Sequence, residues 1–398
     1  MKKIVLFCVV LFISCQNEKS TFSGLIVNKH DVEKIEIMPL ENENALLDYK
    51  IVKLETNSNS LLAEINQMEI VDNYIYVFDK KGKSVKKFTV DGKYVTDIGK
   101  RGDGPKEYLE INAFYVNKER RNVNMFDPMR KAILRYDLEG NFMNIIKTNN
   151  DNLNFIIKAA AIGNNEVFCH SASNWCENYA FFILNENDYS IKKIIRYHPG
   201  KSGKWTSFSL ATNTFSICGD KVDFVSLFSD FIYVYKKESV SEFMLITDHK
   251  SSLSNEMIDK KMKEYNNDML KLMIDVCKSD NYTIGLSEIY ETNKYILCNY
   301  FAYDLTLTTR SVLWDKERKL CYRLSNDFSA PNFCNPLHSF DDTFVRVWNG
   351  NEIDNFKDAV KNGIYQASQI PQNIMNSIKD YNEENDNPIL IFYTAKKP

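Results

Sequence analysis

The five histidines of this 398-residue chain stand at 30, 170, 198, 249 and 338, and no two of them form an HExxH or HxH unit. No cysteine pair has CxxC spacing. Cys169-His170 and Cys176 come nearest to a ligand cluster, and they lack the second pair that four-coordinate zinc requires. GxSxG is missing, as is any Asp-box of the sialidase kind. The glycine-rich loop over residues 99–104 is not followed by Lys-Ser/Thr, so it is not a phosphate-binding P-loop. The net charge is only −3, and removing residues 1–14, which carry Lys2 and Lys3 and no acid, leaves −5. A balance so small supplies no global attraction to nucleic acid. Long apolar runs are missing too. Ile4 to Ile13 is uninterrupted but far short of the roughly 20 residues that a spanning helix needs.

That short run has another use. Lys2-Lys3 ahead of it makes a basic n-region, and Ser14-Cys15 closes it, the pattern of a targeting segment. A small residue directly before a cysteine at this place resembles a bacterial lipobox. The resemblance implies a signal peptide over 1–14, lipidation of Cys15 as the new N-terminus, and a polar tether over 15–23. Phe12 and Ile13 depart from the commonest lipobox residues, and an ordinary secretory signal is the alternative. Seven cysteines then remain, at 169, 176, 218, 277, 298, 321 and 334, so at least one stays unpaired in a monomer. Buried thiols with a packing role are the expectation for them.

What the chain does have is aromatic residues, 22 Tyr and 25 Phe among them, which favour strands. It also repeats itself. Tyr76-Val77-Phe78-Asp79 lies over Asn124-Met125-Phe126-Asp127 at an offset of 48. The same offset carries Val85 onto Ile133, Phe88 onto Tyr136, Asp91-Gly92 onto Glu139-Gly140, and Ile98 onto Ile146. A period of that length built from short strands is the signature of a β-propeller. Looser repeats follow at 161–197, 215–247 and 284–324, and a sixth begins near His338. Apolar residues at helical spacing predict insertions near 254–276, capped by Ser254, and near 355–382, broken at Pro371. Two early strands, Val32–Met38 and Tyr49–Glu55, and a last one, Ile389–Thr394, lack partners in their own repeats. Pairing both chain ends in one sheet closes the ring. The predicted fold is all-β, a six-bladed propeller over 24–398.

Between the first two repeats runs Gly99-Lys100-Arg101-Gly102-Asp103-Gly104-Pro105-Lys106-Glu107-Tyr108. This segment resembles the GxxGxGPxEY of bacterial six-bladed β-propeller lipoproteins, which are distantly similar to NHL-repeat propellers. Ile51-Val52-Lys53-Leu54-Glu55-Thr56 and Asn387-Pro388-Ile389-Leu390 fit the same family. The resemblance implies six blades and a place in the cell envelope, and it transfers no catalytic residue. The glycines themselves read as a device for turning the backbone from one blade to the next.

Loops joining second to third strands and loops crossing between blades leave a blade at the same end. In the first two repeats they are residues 80–83, 100–110 and 128–131. Lys80, Lys81, Lys100, Arg101, Arg130 and Lys131 make a basic excess there, read either as a solvated loop face or as an anion-accepting rim. The expected function is a lipid-anchored binding or scaffold module at the outer membrane, with an acidic glycan or envelope protein as partner and no nucleic acid. The alternative is a propeller hydrolase or lyase with a metal or carboxylates at the central channel, where His338, Asp341 and Asp342 are the nearest candidates. No cofactor is indicated.

Overall fold

A computed structural model describes residues 27–29, 37–39, 46–171, 179–197, 213–229, 231–236, 239–244, 251–279, 281–304, 306–324, 336–364, 370, 372–382 and 384–396. Six small antiparallel sheets stand in a ring as the blades of a propeller. Blades 1 and 2 are the repeat seen in the sequence. Blade 1 runs Gln67–Val71, Tyr74–Asp79, Ser84–Thr89 and Tyr94–Asp97 from the axis outward, and blade 2 runs Ala113–Asn117, Asn122–Asp127, Ala132–Asp137 and Phe142–Lys147. Blade 3 occupies Ile156–Ala161 to Ile191–Tyr197, blade 4 Phe215–Cys218 to Ser239–Met244, and blade 5 Leu286–Glu291 to Leu320–Arg323. Turn chemistry sets the registers. Asp72 and Asn73 both have positive φ in the two-residue turn of blade 1, and Gly92 and Gly140 hold φ near +88° in equivalent later hairpins.

Each blade packs both of its faces against neighbours, so its second strand is buried almost throughout. Tyr74–Asp79 and Asn122–Asp127 show no exposed position, and the sequence there reads as an apolar run more than an alternation. Six apolar clusters result, one between each adjacent pair of blades. The one that closes the circle joins Ile70, Ile75, Val77 and Phe88 of blade 1 to Val52, Val345, Leu390 and Phe392 of blade 6. The repeated Phe-Asp has a separate cause. Asp79 accepts from the amides of Ala63 and Gly82, and Asp127 from those of Leu109 and Arg130, so each carboxylate ties the loop beyond its strand to the incoming crossover.

Blade 6 contains both chain ends. His338–Phe340 and Thr343–Trp348 are followed by Ile389–Ala395, which pairs in turn with Leu47–Lys53, from Leu47 opposite Ala395 to Lys53 opposite Ile389. The predicted closure by Tyr49–Glu55 and Ile389–Thr394 is therefore present. The other early strand behaves differently. Of Val32–Met38 only the end is within the described residues, and Ile37–Pro39 runs parallel to Leu320–Arg323 as a fifth strand of blade 5. Val27–Lys29 does the same on blade 4, parallel to Ser239–Met244. The outer edges of blades 4 and 5 thus gain partners from the segment that leads round to blade 6.

The insertions all rise from one end of the ring, the end holding crossovers and second-to-third strand loops, here termed the upper face. Helices α1 (Asn255–Glu264) and α2 (Met269–Lys278) lie between blades 4 and 5. The first insertion is thus two helices, and Ser254 caps it as expected, its hydroxyl accepting from the amide of Met257. The methionines of the stripe are core: Met262, Met269 and Met273 are buried against Phe228, Ile284 and Leu253. Helices α3 (Gly350–Lys361) and α4 (Gln372–Ile378) leave blade 6 between its second and third strands, starting five residues before the predicted onset. Pro371 lies outside the described residues. Among the described residues no helix is long and apolar enough to cross a membrane.

Candidate functional site

The glycine-rich segment is a structural joint. Gly99 has φ +68°, and a Cβ there would come within 2.5 Å of the Tyr136 ring. The same ring's hydroxyl donates to the carbonyl of Lys106 at 3.0 Å, while the Tyr108 hydroxyl donates to Lys83 O at 3.1 Å. Glu107 folds back to accept from the amide of Gly104 at 3.0 Å. Arg130 reaches across from blade 2, its guanidinium donating to Gly102 O at 3.1 Å and Gly104 O at 2.9 Å. Proximity of Cβ-free backbone and buried side chains, not ligand binding, explains these glycines.

The rim residues share the upper face but differ in disposition. Lys80 and Lys81 are exposed. Lys100 stands 3.7 Å from Glu107, and Lys131 is 3.1 Å from Asp151, both as surface pairs. Arg101 is exposed with its Nε donating to Leu109 O. Arg130 is turned inward as the strut just described, its side chain 19% exposed.

Inside this rim the channel opens into a cavity of about 140 Å³, lined among others by Gln67, Lys80, Asn112, Lys158, Asn213 and His338. Five of these sit where a blade's innermost strand begins, and their donors bridge blade to blade. Gln67 Nε2 of blade 1 donates to Phe114 O of blade 2 at 2.8 Å. Asn112 Nδ2 reaches Leu153 O and Ile156 O, entering blade 3, at 2.9 and 3.0 Å. Lys158 Nζ of blade 3 donates to Phe215 O of blade 4 at 2.5 Å and to Asn213 Oδ1, and sits 4.5 Å from the centre of the Phe215 ring. Asn213 Nδ2 continues to Ile289 O of blade 5 at 2.6 Å. These bonds fix which way the amides point. Gln67 Oε1 and Asn112 Oδ1 are left buried without a partner.

Deeper in the channel Glu69 follows Gln67 on the same side of its strand. Burial pushes its carboxyl up to about 7, with Lys158, Lys118 and Gln67 pulling the other way. Burial likewise brings the Lys158 ammonium down to about 8, opposed by Glu69 and Glu288. His338 is held down to about 3 by burial and by Lys158 and Lys118. These side chains touch solvent in the channel and so count as half-buried, yet protein encloses them on every side, and enclosure governs their protonation. At neutral pH the mouth therefore presents a cationic Lys158 and a neutral imidazole.

His338 reaches the channel as proposed, whereas Asp341 and Asp342 form the tight turn at the other end of its short strand. Among the described residues no three His, Cys, Asp or Glu side chains are placed to hold a metal. His170 is buried against Phe181 with its Nδ1 on the Thr214 hydroxyl, Cys169, Cys298 and Cys321 are buried free thiols, and Cys277 is buried in the helical cluster. Cys218 is a half-buried free thiol, and Cys176 and Cys334 lie outside the described residues. A second charged group, Lys221 and Lys316 on Asp223 and Glu291 between blades 4 and 5, balances its own charges in a closed contact. Gln67, Glu69, Asn112, Lys158 and Asn213 escaped the sequence reading because they form no motif. Their one signal is a polar residue recurring just after each crossover, at the head of an otherwise apolar strand.

No curated protein matches the chain. Among solved structures, a Bacteroides fragilis protein designated a candidate exported protein superposes with TM-score 0.74 at 18% identity, over 94% of this chain and 100% of its own. A member of the DUF4221 family from Bacteroides vulgatus does so with TM-score 0.55 at 10% identity, over 91% and 98%. At these identities the likeness is one of fold. The profile of the domain of unknown function DUF4934 matches residues 27–394, and the chain belongs to that family.

Proposed function

We propose that this protein is an exported, lipid-anchored propeller of the cell envelope, at the outer membrane, that binds an acidic glycan on its upper face. The observation that carries the reading is the channel mouth. Lys158 and Lys80 line the cavity there, inside loops that carry Lys81, Lys100 and Arg101. Concave sites with a few converging polar groups are where ligands bind. Export is supported by the Ser14-Cys15 pattern and by the designation of the Bacteroides fragilis neighbour. The direction of the first strand adds an orientation. Val27–Lys29 runs parallel to the fourth strand of blade 4, from lower to upper face, so Val27 stands at the lower end of that strand. Eleven residues lie between Cys15 and Val27, a reach of about 40 Å when extended. The lower face then lies toward the membrane and the channel mouth away from it.

Retention on an acidic-glycan array tests the reading. Reversing Lys81, Lys100 and Arg101 to Glu is expected to reduce retention at least several-fold, and retention by the parent should fall as salt rises. The same reversal of Lys93, Arg318 and Lys319 on the lower face should leave it unchanged. Equal binding by both triple variants, or no retention of the parent, would reject the upper face as the site. The enzymatic alternative draws on Glu69 and Lys158, whose ionisation is brought toward neutrality as acid–base catalysis requires. Appearance of shortened products from a retained glycan would favour it over simple binding.

A further inference from the structure

Resting on the upper-face reading, the geometry points to Glu69 as an internal counter-ion that competes with the ligand for Lys158, so that an oxyanion group seats in the channel mouth with uptake of a proton. The argument begins with what lines the cavity. Its charged side chains are Lys80 and Lys158, and among the described residues no carboxylate shares the wall. Lys158 uses two of its three ammonium protons on Asn213 Oδ1 and Phe215 O, leaving one for an anion. The neutral imidazole of His338 adds an N–H donor to the same wall. Such a wall recognises negative oxygen and does not distinguish sulfate, phosphate or carboxylate. The oxyanion is therefore either a free ion or a group carried on the glycan.

Two carboxylates act on this lysine, and they are not alike. Glu288 of blade 5 has donors of its own, Asn299 Nδ2 at 2.7 Å and the Tyr290 hydroxyl at 3.4 Å. Glu69, deeper in the channel, has Gln67 beside it and two cations acting on it, Lys158 and Lys118, the latter in the turn after the innermost strand of blade 2. Tyr76, opposite Glu69 on the next strand, gives its hydroxyl proton to Leu138 O. His338 on blade 6 feels the same two lysines. Ionised, Glu69 neutralises Lys158 from within, and an anion arriving from the mouth meets a like charge beyond the lysine. Protonated, it leaves that positive charge to the ligand. Burial holds Glu69 at about 7 and Lys158 at about 8, so the exchange falls in the neutral range. As pH rises through about 7 Glu69 ionises and binding weakens, and above about 8 Lys158 loses its own proton. His338, held to about 3, stays neutral throughout.

Inorganic sulfate is the first probe, because its charge is constant between pH 6 and pH 8, whereas phosphate titrates near there. Isothermal titration of the full chain at constant ionic strength should show affinity falling about tenfold from pH 6 to pH 8, since the form with Glu69 protonated is the one that binds. At pH 7, titration in two buffers of different ionisation enthalpy should read uptake of about half a proton per sulfate. Glu69→Gln keeps the shape of the neutral carboxyl. It should bind more tightly than the parent at pH 8 and lose only about twofold between pH 6 and pH 8, the share due to Lys158. The acidic oligosaccharide retained on the array is the second probe. The same pH dependence and response to Glu69→Gln with the oligosaccharide identify a carried group, and with sulfate alone a free ion. Binding of either probe that is indifferent to pH, an equal slope in Glu69→Gln and parent, or binding of neither probe at pH 6 would overturn the assignment. The upper-face reading is judged separately, by array retention of the Lys81, Lys100 and Arg101 triple variant, which leaves Glu69 and Lys158 in place.

Discussion

At the scale of single residues, two glycines with similar φ separate steric from conformational cost. Gly99 (φ +68°) faces the buried Tyr136 ring, whereas Gly363 (φ +73°) has nothing within 4 Å of an added Cβ. Gly363→Ala should cost about 1 kcal/mol, from φ alone. Gly99→Ala adds displacement of a packed tyrosine, and a loss of about 2–4 kcal/mol is expected by chemical denaturation. Equal losses would mean that the crossover adapts and that the glycine motif is not a packing joint. Glu69 supplies a pH signature. Its carboxyl is raised from 4.5 to about 7 in the fold, so its protonated form is favoured there. Stability from this group is full below pH 4.5 and is lost as pH rises through about 7. Glu69→Gln should therefore raise the thermal midpoint relative to the parent at pH 7–7.5, by the equivalent of about 1–3 kcal/mol, and the difference should vanish near pH 4.5. A difference that grows on acidification would contradict the assignment. Comparing variant with parent isolates Glu69 from His338, whose lowered value works in the opposite sense as pH falls below 6.5. Gly99 was legible as a residue of the crossover and Arg130 as one of a second-to-third strand loop, but the inward turn of Arg130 was not, because a basic residue in a loop reads alike whether it meets solvent or carbonyls.

At the scale of elements, the strands were legible where the chain repeats and the turns carry Asp-Gly or Asp-Asn. The second strands of blades 1 and 2, Tyr74–Asp79 and Asn122–Asp127, stand at the 48-residue offset read from the sequence. Blade 5 was harder. Its second and third strands, Tyr295–Asp304 and Thr306–Asp315, run ten residues each and outgrow the repeat, since they extend upward to support α2. Of the fifth strands, Val27–Lys29 on blade 4 was not legible, and Ile37–Pro39 on blade 5 was legible only as the end of Val32–Met38 without its partner, for three-residue pairings on an edge leave no periodicity. Closure does make a graded prediction. Ile389–Ala395 is paired on both sides, to Thr343–Trp348 and to Leu47–Lys53, while Ile37–Pro39 and Val27–Lys29 are paired on one side over three residues each. Deleting residues 387–398 should collapse the cooperative thermal transition of the whole ring. Deleting residues 16–40 should lower its midpoint by a few degrees and leave it cooperative. A normal midpoint after the C-terminal deletion would sink the closure account.

At the scale of the whole molecule, the upper face gathers the helical pairs, the ten-residue hairpin of blade 5, the basic loops and the channel mouth, and the strand Val27–Lys29 begins at the opposite side. The anchor itself is tested by Cys15→Ala, which should abolish labelling by a fatty-acid analogue and release the protein from membrane fractions. Labelling that persists would place the lipid elsewhere. The central claim, that ligand meets this molecule at the upper face, is tested most directly by hydroxyl-radical footprinting with an acidic oligosaccharide retained on the array. Two exposed methionines serve as reporters: Met129, 70% exposed, lies in an upper-face loop of blade 2, and Met143, 51% exposed, lies near the lower end of the same blade. Bound oligosaccharide should slow oxidation of Met129 and of His338 at the channel mouth while Met143 reacts at its unbound rate. Protection of Met143 with Met129 and His338 unchanged would contradict the account.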